Sequence, residues 1–443
     1  MGFCANSGHA ERRGSNPPAT EWCGGFDVDR AASYSHDPAP RARSGRGAID
    51  IAGKMPMHDS FNRRMTRRCV ATAALAAMAL SSLPLLAAPA REVGVYVGTH
   101  GSDIQYGRFD QRTGALVMTG AIANVPRPTW TIRHPRLPIL YSVNEEGNDG
   151  AKNGSIFAFR INARDGSLTR LNEVDAQGGG TTYLALDALS NTLIAANYGG
   201  GSVATFPILK DGSIGPAVSV VAAAGSGPHR RQTKPHAHSV MVDPSGRFLI
   251  AADLGADRLF VYPFDGKRHA ILPDQPGQDR HFIAQPGSGP RHIAFHPRGH
   301  FLYLINELTA QVQAFSWDAT VGRLALVQTI STNAPDHQGD SSASEILVSR
   351  DGRFLYAGNR GENSLLVYAI DRKRGTLSPV QRVASGGNVP WGFAFDPSGH
   401  WLLVANEKSD RVNIFAVDRR TGRLRDSGQS ASLPKPVSFS FAP

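Results

Sequence analysis

Cysteine is almost absent: Cys4, Cys23 and Cys69 are the only three, and none follows Val70. The rest of the chain can hold no disulfide framework, no cysteine-ligated metal and no thiol nucleophile. A cysteine-free body suits an oxidising compartment. Helix-length segments with 3.6-residue apolar periodicity are also missing after residue 90, which argues against bundles and doubly wound α/β folds. The 443-residue chain carries a net charge of +10 but no basic run in its body: residues 1–90 hold 11 Lys/Arg against 7 Asp/Glu, and the remaining excess is spread over more than 350 residues. That distribution is not the clustered patch of a nucleic-acid binder. There is no Gly-x-Ser-x-Gly, and Ser239 beside His238 lacks the partner pattern of a catalytic serine. Gly178-Gly179-Gly180 and Gly199-Gly200-Gly201 lack the Lys-Ser/Thr of a phosphate loop and read as turns. No His/Asp/Glu cluster has metal-ligand spacing, and no motif implies a cofactor.

The one long apolar run is Val70 to Leu86. Ser81, Ser82 and Pro84 interrupt it, and it is short for a membrane span. It follows Arg63-Arg64-Met65-Thr66-Arg67-Arg68 and precedes Ala88-Pro89-Ala90. A positive n-region, an apolar h-region and a small-residue site make residues 65–90 a secretory signal peptide cleaved near Ala90. The expected location is periplasmic or secreted, with no stable membrane span after cleavage. Residues 1–64 are rich in Gly, Ser, Pro, Arg and Asp without apolar periodicity. They read as a disordered extension, or as coding sequence upstream of a true start at Met55, Met57 or Met65.

From Val93 the chain repeats. Ile139-Leu140-Tyr141-Ser142-Val143-Asn144 is matched by short apolar runs ending in Asn197, Asp253, Asn306, Asn359 and Asn406, at spacings of 53, 56, 53, 53 and 47. Each unit continues with an alternating run and closes on a Gly-x-Leu hairpin, at Gly166, Gly322, Gly375 and Gly422. Asp-Pro-Ser-Gly turns recur at 243–246 and 396–399. Four short strands per unit of about 50 residues is the signature of a β-propeller blade. Six units span roughly Pro128 to Leu433. The strands near Val93–Thr99 and Gly107–Asp110, with a lone strand at Pro436–Phe441, make a seventh. The expectation is an all-β, seven-bladed propeller over residues 91–443, its ring closed by N- and C-terminal strands sharing one blade, which removes the open edges.

Aligned repeats turn sequence positions into rings around the channel. The position after each Asn/Asp reads Glu145, Tyr198, Leu254, Glu307, Arg360 and Glu407, with His100 in the first blade. The position fifteen residues before reads Thr129, Thr182, His238, Arg291, Ser344 and Trp391. Small or apolar members fit a structural ring. His238, Arg291, Glu307 and Arg360 do not, and they fall in three consecutive blades. Four convergent ionisable groups at a channel mouth are a candidate site. His236 shares a strand face with His238, and Glu345 follows the Arg291 equivalent of its blade, so both are candidate substrate contacts. A ring of Glu145, Glu307 and Glu407 has the oxygen chemistry for a divalent ion. The strand-ending asparagines read as structural, and His134, His296 and His300 as solvated turn residues.

The chain resembles the seven-bladed propeller lactonase family over about Val93 to Pro443. The resemblance rests on His238-Ser239, Gly289-Pro290-Arg291-His292 with Phe295-His296-Pro297, Asn306-Glu307-Leu308, Asp351-Gly352-Arg353 with Leu355-Tyr356, and Asn359-Arg360. It implies a His, Arg, Glu and Arg catalytic set at His238, Arg291, Glu307 and Arg360. Members open or close lactones, so the substrate is a small lactone or dicarboxylate. An exported member departs from a cytosolic sugar-phosphate role. Lactone hydrolysis would use Glu307 as general base, if burial raises its pKa, with the arginines on the substrate anion and oxyanion and His238 as proton donor. A muconate-type lactonising lyase and a non-catalytic periplasmic binding propeller are the alternatives.

Overall fold

A computed structural model describes residues 92–274 and 277–442. The expected N-terminal extension and signal peptide lie outside the described residues. The rest forms seven antiparallel sheets, one per predicted unit. Blade 1 places the C-terminal strand Pro436–Phe441 innermost, against Glu92–Thr99, then Asp103–Asp110 and Ala115–Asn124. Val95 pairs with Phe441 and Val97 with Phe439, which closes the ring as the repeats predict. Blades 2 to 7 begin at Thr131, Thr181, Ala237, Pro290, Ala343 and Pro390. Each innermost strand packs against those of the two neighbouring blades, around a complete circuit. The fold is a seven-bladed β-propeller. The one helical turn among the described residues is the 3-10 turn Glu407–Ser409.

The continuous apolar runs have a direct cause. The second strand of a blade is covered on both faces, so Ile139–Asn144, Thr192–Asn197, Phe248–Asp253, Phe301–Asn306 and Phe354–Asn359 are buried at every residue. A strand buried on both faces has no need of alternating polarity. Seven apolar clusters hold the disc together, each filling the gap between two adjacent blades. Tyrosines pin neighbouring blades: Tyr96, Tyr141, Tyr303 and Tyr356 donate to the carbonyls of Gly166, Gly212, Gly375 and Gly422 at 2.7, 2.9, 3.1 and 2.8 Å. Gly375 has φ +73°, and a Cβ there would fall 2.3 Å from Phe301 of the blade before. The Gly of Gly-x-Leu is thus required by backbone conformation and by the closeness of the next blade.

The strand-ending asparagines are structural, as expected. Asn197, Asn359 and Asn406 donate to the carbonyls of Ala176, Thr332 and Ser385 at 2.9, 3.1 and 2.9 Å. The turn histidines need correction. His300 is exposed, but His134 and His296 are buried. His134 Nδ1 accepts from the Arg136 and Leu137 amides, and His296 Nδ1 from the Arg298 amide. In blades 4 and 7 the carboxylates of Asp243 and Asp396 take the same kind of turn amides. An imidazole nitrogen replaces the carboxylate of an Asp-Pro turn, so these histidines fold inward.

One recurring irregularity builds the site. Pairing of the two inner strands skips between Thr181 and Tyr183, Ala237 and Ser239, Pro290 and His292, and Pro390 and Gly392. The skipped residues are Thr182, His238, Arg291 and Trp391, four members of the inner ring. In blade 6 the skip is longer, from Ala343 to Ile346, and takes in Ser344 and Glu345. A β-bulge re-aims a side chain that regular alternation would send elsewhere.

Candidate active site

Glu307 is the centre of the channel mouth, its side chain 4% exposed. Arg291 Nε donates to Glu307 Oε2 at 3.0 Å. Arg360 Nη2 stands 2.9 Å from Oε1 and also donates to the Ala343 carbonyl at 2.9 Å. Arg231 Nη1 donates to Oε1 as well, while its Nη2 reaches the Tyr198 hydroxyl at 3.0 Å. His238 Nε2 lies 3.8 Å from Oε2. The four ring residues singled out by the repeats are therefore brought together, with one carboxylate facing three guanidiniums. Two positive charges are left over at the mouth, a setting that favours an anion or a developing oxyanion. Trp391 forms the wall beside them, with Arg360 Cζ 4.7 Å and Arg291 Cζ 5.7 Å from its ring centre. A cavity of about 420 Å³ opens over Glu307 and Arg231, lined also by His229, Arg230, Asp340 and Ser342. That is the size range of small-molecule sites.

The electrostatics overturn one premise. Burial by itself would raise the Glu307 pKa, but Arg360, Arg231 and Arg291 outweigh it and hold the carboxyl well below its ordinary value. Glu307 is an ionised organiser of cations rather than a group poised to take a proton. Burial pushes Arg291 down to about 10, with Arg360 adding to the effect, so it stays charged at neutral pH. Burial, then the charge of Arg291 and the closeness of His292, lowers His238 well below the usual histidine range. It is a neutral imidazole, its buried Nδ1 without a partner among the described residues.

Glu345 is buried next to this cluster, sharing a small chamber with His238 and Arg291. Its Oε1 faces His292 Nδ1 at 2.9 Å and accepts from the Ile346 amide at 3.0 Å. Burial raises the Glu345 pKa to about 7 against the opposing pull of Arg291. His292 in turn meets Trp130, Tyr183 and His238 edge-to-face at 5.6, 5.1 and 5.1 Å. His236 has a different setting from that expected. It stacks on Tyr198 at 4.3 Å, and its Nδ1 is 2.7 Å from the Tyr198 carbonyl, so it braces the residue that Arg231 holds.

The suggested carboxylate ring does not form a metal site. Glu307 is occupied by arginines, Glu145 is held by Asn148 at 2.9 Å and Arg127 at 3.7 Å, and Glu407 faces His100 at 3.4 Å. Among the described residues no group of three or more His, Cys, Asp or Glu has the geometry to hold a metal ion. Two partners escaped the repeat alignment. Arg231 lies in the linker entering blade 4, outside both rings, and its one signal was the basic cluster His229, Arg230, Arg231 and Lys234 upstream of His238. His292 follows a ring position without occupying one.

Fold and site together define a β-propeller with an arginine-bound carboxylate at its channel mouth. Residues 92–441 match the seven-bladed β-propeller lactonases, and the chain belongs to that family. A 6-phosphogluconolactonase of Bacillus subtilis is 36% identical over 350 residues, covering 78% of this chain and 97% of that protein. Among solved structures, a periplasmic gluconolactonase of Pseudomonas aeruginosa is 35% identical with a TM-score of 0.74, covering 80% of this chain and 99% of that one. A putative 6-phosphogluconolactonase of Bacteroides fragilis is 33% identical with a TM-score of 0.72, covering 80% and 98%. No helix among the described residues is long and apolar enough to cross a membrane.

Proposed function

We propose that the protein hydrolyses a sugar lactone at this channel mouth. The observation that carries the reading is the Glu307 carboxylate held ionised among Arg231, Arg291 and Arg360, with neutral His238 3.8 Å away. Lactone opening needs a water made nucleophilic, a counter-charge for the carbonyl oxygen and a proton for the leaving alkoxide. In this reading Glu307 fixes the guanidiniums, and Arg291 and Arg360 stabilise the oxyanion. His238, uncharged, takes the proton of the attacking water and returns it to the ring oxygen as the ester bond breaks. Arg231, more exposed than the other two, holds the outer part of the substrate. His236 keeps Tyr198 and through it Arg231 in place.

The activities for which these relatives are named support an aldonolactone as substrate class. The n-region, apolar run and Ala88-Pro89-Ala90 site support export, in keeping with the periplasmic relative. A phosphorylated sugar lactone is not expected outside the cytoplasm, so the reading favours an unphosphorylated one. The test is hydrolysis of D-glucono-1,5-lactone by the wild type, Arg291→Ala and Glu307→Gln. Loss of one oxyanion partner or of its organiser is expected to lower kcat/KM by about 10²–10³-fold. Activity within a few-fold of wild type in both variants contradicts the assignment. N-terminal sequencing of the exported protein, expected to begin just after Ala90, tests the location.

A further inference from the structure

A second, smaller chamber is bounded by residues of all seven blades, Arg291 among them. It is walled by Thr129, Trp130, His238, Arg291, Glu345 and Trp391, among others, and its volume is about 10 Å³. A cavity of that size holds one water molecule, provided two to four polar partners face it. Two of its wall residues carry buried polar atoms with no partner among the described residues, His238 Nδ1 and Thr129 Oγ1. A third partner is the free side of Glu345: Oε1 is engaged by His292 and the Ile346 amide, and Oε2 accepts no hydrogen bond from the described residues. The double-residue bulge of blade 6 is what turns this carboxylate inward. His238 links the chamber to Glu307, with Nε2 3.8 Å from Glu307 Oε2 and Nδ1 without a partner among the described residues.

We infer that the chamber seats a single water joining His238 Nδ1 to Glu345, which makes Glu345, oriented by His292, the proton acceptor behind His238. The inference rests on the lactonase reading. In the step it describes, the attacking water gives its oxygen to the lactone carbonyl carbon and one proton to His238 Nε2. His238 passes its Nδ1 proton through the chamber water to Glu345. The carbonyl π electrons move to oxygen, facing Arg291 and Arg360. On collapse the ring C–O bond breaks, the proton returns along the same path to the alkoxide, and the product carboxyl ionises. Glu345 never touches the substrate and is a positioning residue. The charged and titratable groups facing it are Arg291 and His292 from blade 5, His238 from blade 4 and Tyr183 from blade 3. Arg291 favours the carboxylate, while burial favours the acid. The relay requires the carboxylate, so activity should rise as Glu345 loses its proton.

The experiment is the pH dependence of kcat/KM for D-glucono-1,5-lactone in the wild type, Glu345→Gln and Thr129→Val. The wild type is expected to show a rising limb with a midpoint near 7. Glu345→Gln should lose that limb and run about 10²-fold slower, the lower end of what acid–base assistance contributes. Thr129→Val, which removes one partner of the water, should lower kcat by about tenfold with KM unchanged, the worth of one hydrogen bond to a charged chain. A Glu345→Gln enzyme that keeps the wild-type limb overturns the relay. If that variant does not fold, an unchanged kcat in Thr129→Val overturns it instead. A wild type that hydrolyses no lactone overturns the lactonase reading and the relay with it, whereas an active wild type with an unaltered Glu345→Gln profile removes the relay alone.

Discussion

Glu307 and Glu345 are buried carboxylates in neighbouring blades, and their surroundings drive them apart. Glu307 meets three arginines and stays ionised far into acid. Glu345 meets one arginine at longer range and a neutral histidine, and burial carries it to about 7. Both are desolvated, so burial alone decides nothing. The number of cations within contact sets the sign, and a carboxylate pair split in this way divides between a fixed charge and a proton carrier.

Neutralising the fixed charge should have the largest effect. Glu307→Gln leaves three guanidiniums facing one another without their counter-ion. Removing one partner of a buried pair costs about 3–5 kcal/mol, so urea unfolding of this variant should show a loss of that size. A loss below about 1 kcal/mol, the worth of an exposed pair, would mean that the mouth is far wetter than its burial indicates.

Next in size is the pH dependence of stability. Glu345 is raised from 4.5 to about 7 on folding. The native state therefore binds the proton more tightly than the unfolded chain. The resulting stability is complete below pH 4.5 and is lost as pH rises toward and through 7. The linkage amounts to about 3 kcal/mol. Glu345→Gln should lack this decline and exceed the wild type in stability at pH 8, read from melting curves across that range. The depressed Glu307 acts in the opposite sense, contributing stability above its ordinary pKa that fades as acid protonates it. An identical slope in wild type and Glu345→Gln would place the proton elsewhere.

Arg231 approaches Glu307 from the solvent side. Its side chain is 39% exposed, against 1% for Arg291 and 8% for Arg360. Arg231→Gln is expected to raise KM by about tenfold while largely sparing kcat, the worth of one charge-assisted hydrogen bond to the substrate. The smallest effect belongs to a control remote from the mouth. Tyr303→Phe removes a blade-to-blade hydrogen bond and should cost about 1 kcal/mol, visible in melting and absent from kcat/KM.

The propeller was legible because its physics repeats. A second strand buried on both faces must be apolar throughout, and its closing Asn/Asp must satisfy nearby backbone groups, so the same short pattern returns in every blade. Equivalent positions then identified His238, Arg291, Glu307 and Arg360 as misfits in rings that need only small residues. Arg231 was not legible, because it reaches Glu307 from a linker that belongs to no ring. The Glu307 charge state was misjudged for the same reason: burial can be read from a strand pattern, whereas the convergence of three arginines from separate places on the chain cannot. His134 and His296 looked like solvated turn residues because nothing in a His-Pro turn announces that its imidazole substitutes for an aspartate.

The claim that one carboxylate organises and the other carries the proton is tested most directly by a carbon NMR titration of the glutamate carboxyl groups in the folded protein, assigned with Glu307→Gln and Glu345→Gln. Glu345 is expected to titrate near 7, and Glu307 to show no midpoint before acid unfolding. A Glu345 midpoint near 4.5, or a Glu307 midpoint above it, would contradict the account.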